Sequence, residues 1–486
     1  MASLQQKNSH LLWRAGFGPG AAQLATLDTV PVADLFSQQL TASLQPAISF
    51  FTPDPALQQL LATTGEGGMM QRRELSADQK KTLRIQSTQG LKQLNIAWVN
   101  QMVNSPAQVK EKMSLFWHGH FACRTVNLIH QQKLLDIVRN NALGNFGTLL
   151  KEVSKSASML NFLNNNQNRK DHPNENFARE VMELFTLGRG NYTETDVKEA
   201  ARAFTGWGAT FSGDFVFRER QHDAGIKNFM GRSGNFNGDD ILDILLQQRQ
   251  TARFITRKIY SNFVSNEDAP DRVTWLANRF YDNHYDIQSL LKDIYTSEWF
   301  YADKNIGTHI KSPVELWVGI RRMLPMQLDN EAVQLLLQRL LGQVLFYPPN
   351  VAGWPGGRNW IDSSTLMMRM RIPEMIFAGE QVKFRPKDDD DQMMGMQPPA
   401  ENSSENTGKG RRGSQQISAS INWQDYLNHF SAVPRASLLP AVSNLLLPGN
   451  SFDPRVPGKY SDAGSRENFI KTATIRLMST PEYQLC

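Results

Sequence analysis

The sequence predicts a mainly α fold: a multi-helical globular domain with a small β-hairpin and a disordered insertion. Apolar residues recur at helical spacing through most of the 486 residues, strand-like character is confined to one short stretch, and one segment is too polar to fold. Hydrophobic residues make up 40% of the chain and charged residues 20%. That balance is too apolar for a disordered protein, so a packed core is expected.

Taken in order, Ser9 to about Leu61 reads as short helices broken by Pro and Gly. Gly16, Gly18 and Gly20 follow Leu11, Leu12 and Trp13. No strand precedes this glycine run and no Lys-Ser or Lys-Thr pair follows it, so it reads as a turn between helices rather than a phosphate loop. Between Leu75 and Phe116, the residues Leu91, Leu94, Ala97, Trp98, Met102 and Val103 form a core-facing stripe. Over Phe177 to Leu187, Phe177, Val181, Leu184 and Phe185 share one side of a helix, and Glu175, Asn176, Arg179, Glu180 and Glu183 share the other. Gly188 and Gly190 stop it, and Thr193 with Asp196 opens the next helix, which runs to Gly206.

Phe211 to Phe217, with Gly213 and Asp214 at its middle, is the expected hairpin and leads to His222-Asp223. Helical spacing then returns in Asp239 to Leu246, Thr251 to Val264, Val273 to Phe280, Ile287 to Phe300, Pro313 to Leu324 and Glu331 to Leu341. Pro348 to Gly357 holds three prolines and three glycines and must be a loop. Arg385 to Gln416 is low complexity, with Asp388 to Asp391 followed by Met, Pro, Ser, Gly and Arg, and is expected to be disordered. The expected organisation is a main helical domain over 9–384, the insertion over 385–416, and C-terminal helices over 417–486 that pack back on the main domain.

The net charge of +5 comes from 52 basic and 47 acidic side chains that are largely interleaved, which does not suggest a nucleic-acid partner. The cluster Lys409, Arg411 and Arg412 lies in the insertion and reads as a solvated tail. Cys123 and Cys486 are the two cysteines, so a disulfide framework and a thiolate zinc site are both excluded. Any metal would have to use imidazole and carboxylate. The apolar stretch Val333 to Leu345 is interrupted by Gln and Arg, well short of the roughly 18 apolar residues a membrane span needs. No leader-like apolar run precedes Arg14, so a cytoplasmic location is expected as the chain is written, with export open if the start lies elsewhere.

Several blocks occur in a recognisable order: Phe116-Trp117-His118-Gly119-His120-Phe121, Asn174 to Glu180 with Met182 to Phe185, Tyr192-Thr193-Glu194 with Asp196-Val197, Thr205-Gly206-Trp207, His222-Asp223 with Lys227, Lys311-Ser312-Pro313 with Glu315-Leu316, and Asn350 to Trp354. This set resembles the bacterial family called domain of unknown function 1800 (DUF1800), over roughly residues 9 to 380 and again in the C-terminal helix. The resemblance implies no activity. Because many members of that family look exported, it keeps export open.

Three of the blocks can carry chemistry. His118 and His120 converge on one metal ion if the backbone there is extended, and diverge if it is helical. Glu180 and Glu183 stand i and i+3, with Arg179 able to pair with Glu175 or Glu183. His222-Asp223, followed by Lys227, can ligate a metal, orient an imidazole or satisfy turn amides. Together they suggest a metal-dependent hydrolase, with His118, His120, His222 and Asp223 holding a divalent ion (zinc, iron or manganese) and Glu180, Glu183, Arg179 and Lys227 acting on substrate. A metal-free version uses a histidine and a glutamate as base and acid, with Arg179 or Lys227 holding an anion. The alternative is a non-catalytic scaffold or binding protein in which the same residues form a structural polar network. The partner would be a small molecule, a carbohydrate stacked on Trp207, Trp354 or Trp360, or a protein. No GxSxG, P-loop or HExxH motif is present.

Overall fold

The structure, a computed structural model, describes residues 2–51, 77–384, 413–448, 462 and 464–486. It is mainly α. The first helix, α1 (Leu4–Ala15), opens with a capping box in which the Ser3 hydroxyl accepts from the Gln6 amide and the Gln6 side chain accepts from Ser3 N. After α2 (Val32–Ala42) come the long α3 (Ala77–Asn104) and α4 (Gln108–His120), then α5 (Leu128–Asn141), α6 (Phe146–Lys155) and α7 (Ala157–Phe162). The short α8 (Asn176–Glu180) runs into a π-helical turn over Val181–Thr186 before α9 (Glu194–Ala203).

Two antiparallel ribbons follow. The first pairs β1 (Trp207–Ala209) with β2 (Phe215–Phe217), Trp207 lying opposite Phe217. The expected hairpin began at Phe211, but residues 210–214 form the turn instead. Thr210 Oγ1 accepts from Asp214 N at 3.0 Å, Ser212 Oγ donates to Asp214 at 2.6 Å, and Gly213 takes φ +91°. The second ribbon, β3 (Lys227–Phe229) with β4 (Arg232–Gly234), turns at Met230 and Gly231, both at positive φ.

Helices resume with α10 (Gly238–Leu246), α11 (Arg249–Phe263), α12 (Pro270–Asp282), α13 (Ile287–Tyr295) and α14 (Pro313–Met323), followed by β5 (Met326–Leu328), α15 (Val333–Leu340) and α16 (Ser363–Ala378). Then come β6 (Gln381–Phe384), β7 (Gly413–Gln416), β8 (Ala419–Ile421), α17 (Gln424–His429), α18 (Leu438–Leu446) and α19 (Arg466–Met478). Most of the expected insertion lies outside the described residues. Its last four, Gly413–Gln416, are strand rather than disordered, because they pair antiparallel with Gln381–Phe384. Likewise β8 pairs with β5.

One buried hydrophobic cluster runs from Leu11 to Tyr483 and contains Trp98, Trp117 and Trp317. Charges inside it are paired or bonded, as burial demands. The Arg139 guanidinium donates to Glu111 at 2.6 Å, and Glu111 also accepts from Trp98 Nε1 at 2.9 Å. Arg14 donates to the Phe263 and Val264 carbonyls at 2.9 and 2.7 Å, so α1 caps the C-terminal end of α11. No helix among the described residues is long and apolar enough to cross a membrane.

Candidate functional site

The site begins where α4 ends. Gly353, in the loop after α15, sits at φ +80° against the Gly119 carbonyl, and a Cβ on Gly353 would lie only 2.4 Å from that oxygen. Glycine is required there both for the left-handed backbone and for the close approach. Asn350 shapes the approach: its side chain accepts from Ala352 N at 2.9 Å and its carbonyl from Gly353 N at 3.1 Å. The loop thereby seats Trp354 on the His118 ring, 5.5 Å between centroids.

The start of α14 supplies a second wall. Its capping box pairs Glu315 N with the Ser312 hydroxyl at 3.3 Å and Ser312 N with Glu315 Oε2 at 2.6 Å, with Pro313 in the first turn. Glu315 also accepts from the Lys112 ammonium and from His309 Nε2, the latter at 3.3 Å. Burial alone would raise the Glu315 carboxyl, but Lys112 and His309 outweigh it and hold the group well below its ordinary value. Burial pushes His309 down to about 4.

The third wall is α11. Ile255, Ile259 and Phe263 are buried in the core, whereas Lys258, Ser261 and Asn262 open onto the space between α11, α4 and the loop. Lys258 Nζ lies 3.2 Å from His120 Nδ1 and donates to the Leu184 carbonyl at 3.1 Å. That carbonyl is available because the π turn changes the pairing: Gly188 N, which would reach Leu184 O in a continuing α-helix, turns back to Met182 O at 3.1 Å. Burial lowers Lys258 to about 8, and among the described residues no carboxylate opposes the shift. His120 is held neutral, first by burial and then by the Lys258 charge. With Lys258 donating to Nδ1, the network assigns the ring proton to Nε2.

These walls enclose a cleft of about 320 Å³. Lys112, Phe116 and His120 line it from α4, Lys258 and Asn262 from α11, Ser312 and Glu315 from α14, and Trp354 and Trp360 from the loop and the turn that follows it. Such a volume and mix of aromatic and polar groups suit a small polar molecule.

The residues expected at the site lie in separate environments. His118 and His120 both belong to α4, which stays helical to its last residue, so their rings diverge by about 200° rather than converging. His118 Nε2 accepts from Phe346 N at 3.1 Å, and Trp98, Phe346 and Trp354 surround the ring, whose pKa burial pushes down to about 3. On the acidic helix, Arg179 donates to Glu194 at 2.7 Å and to Glu175 at 3.2 Å, and Glu183 accepts from the Tyr192 hydroxyl. Glu180 is raised by partial burial and then by Glu183. His222 Nδ1 faces the Thr205 carbonyl at 2.9 Å, and Asp223 accepts from Arg202 Nε at 2.7 Å. Lys227, lowered mainly by burial, donates to the Asp223 carbonyl and to Asn235 at 3.4 Å.

Of these residues, His120 alone lines the cleft. Among the described residues, no group of three or more His, Cys, Asp and Glu side chains is placed to share a metal ion. Sequence reasoning missed Lys112, Lys258, His309 and the role of Glu315. The block Lys311-Ser312-Pro313 with Glu315-Leu316 was the part of the sequence reading that touched Glu315.

No curated protein and no solved structure matches the chain. The profile described as protein of unknown function (DUF1800) matches residues 10–485, almost the whole length, so the chain belongs to the DUF1800 family.

Proposed function

We propose that the protein is an enzyme acting on a small polar molecule in the cleft between α4, α11, α14 and the Trp354 loop, by proton transfer through Lys258 and His120 and without a metal ion. One observation carries this reading. Three of the blocks on which the family resemblance rests, Phe116 to Phe121, Lys311 to Leu316 and Asn350 to Trp354, are far apart in the chain yet supply walls of one cleft. Packing alone does not require that polar blocks open onto a shared space, whereas a binding site does. Lys258 adds to it, as a largely buried ammonium facing the cleft with no ion-pair partner among the described residues.

The other expected residues are better read as a structural polar network. Arg179 with Glu175 and Glu194, Arg202 with Asp223, and His222 with Thr205 each spend their polar atoms on a local partner. They frame β1 to β4 and the acidic helix, not the cleft.

A thermal-shift screen of sugars, sugar acids, carboxylates and amines tests the reading on dialysed, untagged protein. Stabilising compounds are expected to lose their effect in Trp354→Ala and in Lys258→Met. Shifts that persist in both variants would place binding elsewhere. A stoichiometric divalent ion, lost in a His118→Ala, His222→Ala double variant, would favour the metal-dependent alternative.

A further inference from the structure

We propose that Lys258 is the nucleophile of the cleft and forms an imine with the carbonyl carbon of a hydroxylated aldehyde or ketone. The inference rests on the cleft being the working site and adds the bond that forms there and the class of substrate.

The geometry around Lys258 favours bond formation over charge pairing. Two of its N–H directions are spent on His120 Nδ1 at 3.2 Å and the Leu184 carbonyl at 3.1 Å, both neutral groups, and the side chain opens onto the cleft. The Phe254 ring lies 4.8 Å from Nζ on the protein side. Among the described residues Lys258 makes no ion pair, whereas Lys112, which lines the same cleft, is held by Glu315. Desolvation by burial is the setting in which an amine becomes available for attack.

His120 can carry the proton that the reaction must move. The fraction of Lys258 that is free amine near neutral pH attacks the carbonyl carbon and forms the C–N bond, and one amine proton passes by way of His120 Nδ1 to the oxyanion, giving a neutral carbinolamine. A proton equal to the one the ammonium released to solvent then reaches the hydroxyl through the open cleft, the C–O bond breaks, and water leaves. Carbonyl plus ammonium thus becomes protonated imine plus water, with no net gain or loss of protons and no oxidant or reductant.

The remaining lining points to the substrate class. Lys112 and Glu315 neutralise each other, so they offer no net charge for a substrate carboxylate. Asn262 and Gln343 present amides, and Trp354 and Trp360 present indole rings, a combination suited to hydroxyl groups and the apolar face of a short polyol chain.

The test uses full-length protein, glyceraldehyde as the probe, borohydride to reduce any imine to a stable amine, and peptide mass spectrometry. A saturable adduct at Lys258 is expected, forming about tenfold or more faster than at the exposed Lys198 and Lys304. It should be absent in Lys258→Arg and slowed in His120→Gln, with both variants checked for folding by circular dichroism. Labelling of Lys258 no faster than of the exposed lysines would overturn the proposal. Glycerol, which has the hydroxyls but no carbonyl, separates this failure from failure of the cleft itself. A glycerol-induced thermal shift that disappears in Trp354→Ala, without a Lys258 adduct, leaves the cleft standing and the imine refuted. Neither shift nor adduct refutes both. Faster labelling with pyruvate than with glyceraldehyde would overturn the substrate class.

Discussion

Two histidines separated by one glycine take opposite roles. His118 accepts from the Phe346 amide and is enclosed by aromatic rings, so its work is to hold the chain where Phe346 adopts φ +70°. His120, on another side of the same helix, meets Lys258. The charge on Lys258 has a measurable thermodynamic signature. Its folded value is about 8 against an ordinary 10.5, so between these pH values the unfolded chain binds more protons than the folded one, and stability rises with pH. Lys258→Met should remove that rise. The variant is expected to gain on the wild type below pH 8, by up to roughly 3 kcal/mol, and the gain should fade towards pH 10.5. Urea denaturation across this range measures it, and a wild-type stability that does not differ in pH dependence from the variant would sink the assignment.

At the scale of elements, the cleft depends on two terminations and one initiation. Helix α4 must end at Gly119-His120 for the Trp354 loop to approach, and the contact leaves no room for a side chain at Gly353. Gly353→Ala is therefore expected to lift the loop, weaken binding in the cleft and cost about 1–3 kcal/mol, read as lost ligand-induced thermal shift together with a lower melting temperature. The π turn after α8 ends so that the Leu184 carbonyl turns to Lys258, a direct link from the acidic block to the cleft. The start of α14 rests on Glu315, which serves at once as cap and as counter-ion to Lys112. Glu315→Ala should cost about 3–5 kcal/mol because it leaves the Lys112 ammonium buried and uncompensated. Glu315→Met, Lys112→Met together should recover part of that loss, and a double variant no more stable than the single one would argue against a charge-pair origin.

Across the whole molecule, residues 483–486 pack behind one wall of the site. His309 and Cys486 exchange backbone hydrogen bonds at 3.1 and 2.9 Å, and Lys311 N donates to the Gln484 carbonyl at 2.9 Å. The Lys311 ammonium, lowered to about 7 by burial, lies between the Trp13 and Tyr483 rings at 3.7 and 3.9 Å from their centroids and donates to the Tyr483 carbonyl. From the other side, Arg369 of α16 donates to the Lys311 carbonyl and to the Gln484 side chain. Residues from α1, α16 and the chain end therefore converge just before the Ser312 cap. Tyr483→Ala is expected to cost about 3–5 kcal/mol through the lost ring alone, and to weaken cleft binding although Tyr483 does not line the cleft. Intact ligand affinity in a destabilised Tyr483→Ala protein would show that this convergence supports the fold but not the site.

The helices could be read from the chain because their signals are local. Apolar spacing over a few turns, Thr193 with Asp196, and Ser312 with Glu315 each act within reach of their own backbone. The ordered blocks were equally legible and marked the family. The partners of the charged side chains were not. Lys258 looks like any basic residue on an amphipathic helix, and it becomes distinctive only when His120, 138 residues earlier, closes over it. Lys112 and Glu315 stand 203 residues apart. Conversely, Arg179 and Asp223 were conspicuous in the sequence, yet each found a nearby ion-pair partner and turned away from the cleft. Short-range preferences can be summed along a chain, whereas desolvation of a charge depends on which distant segments pack around it, and only the folded arrangement decides that.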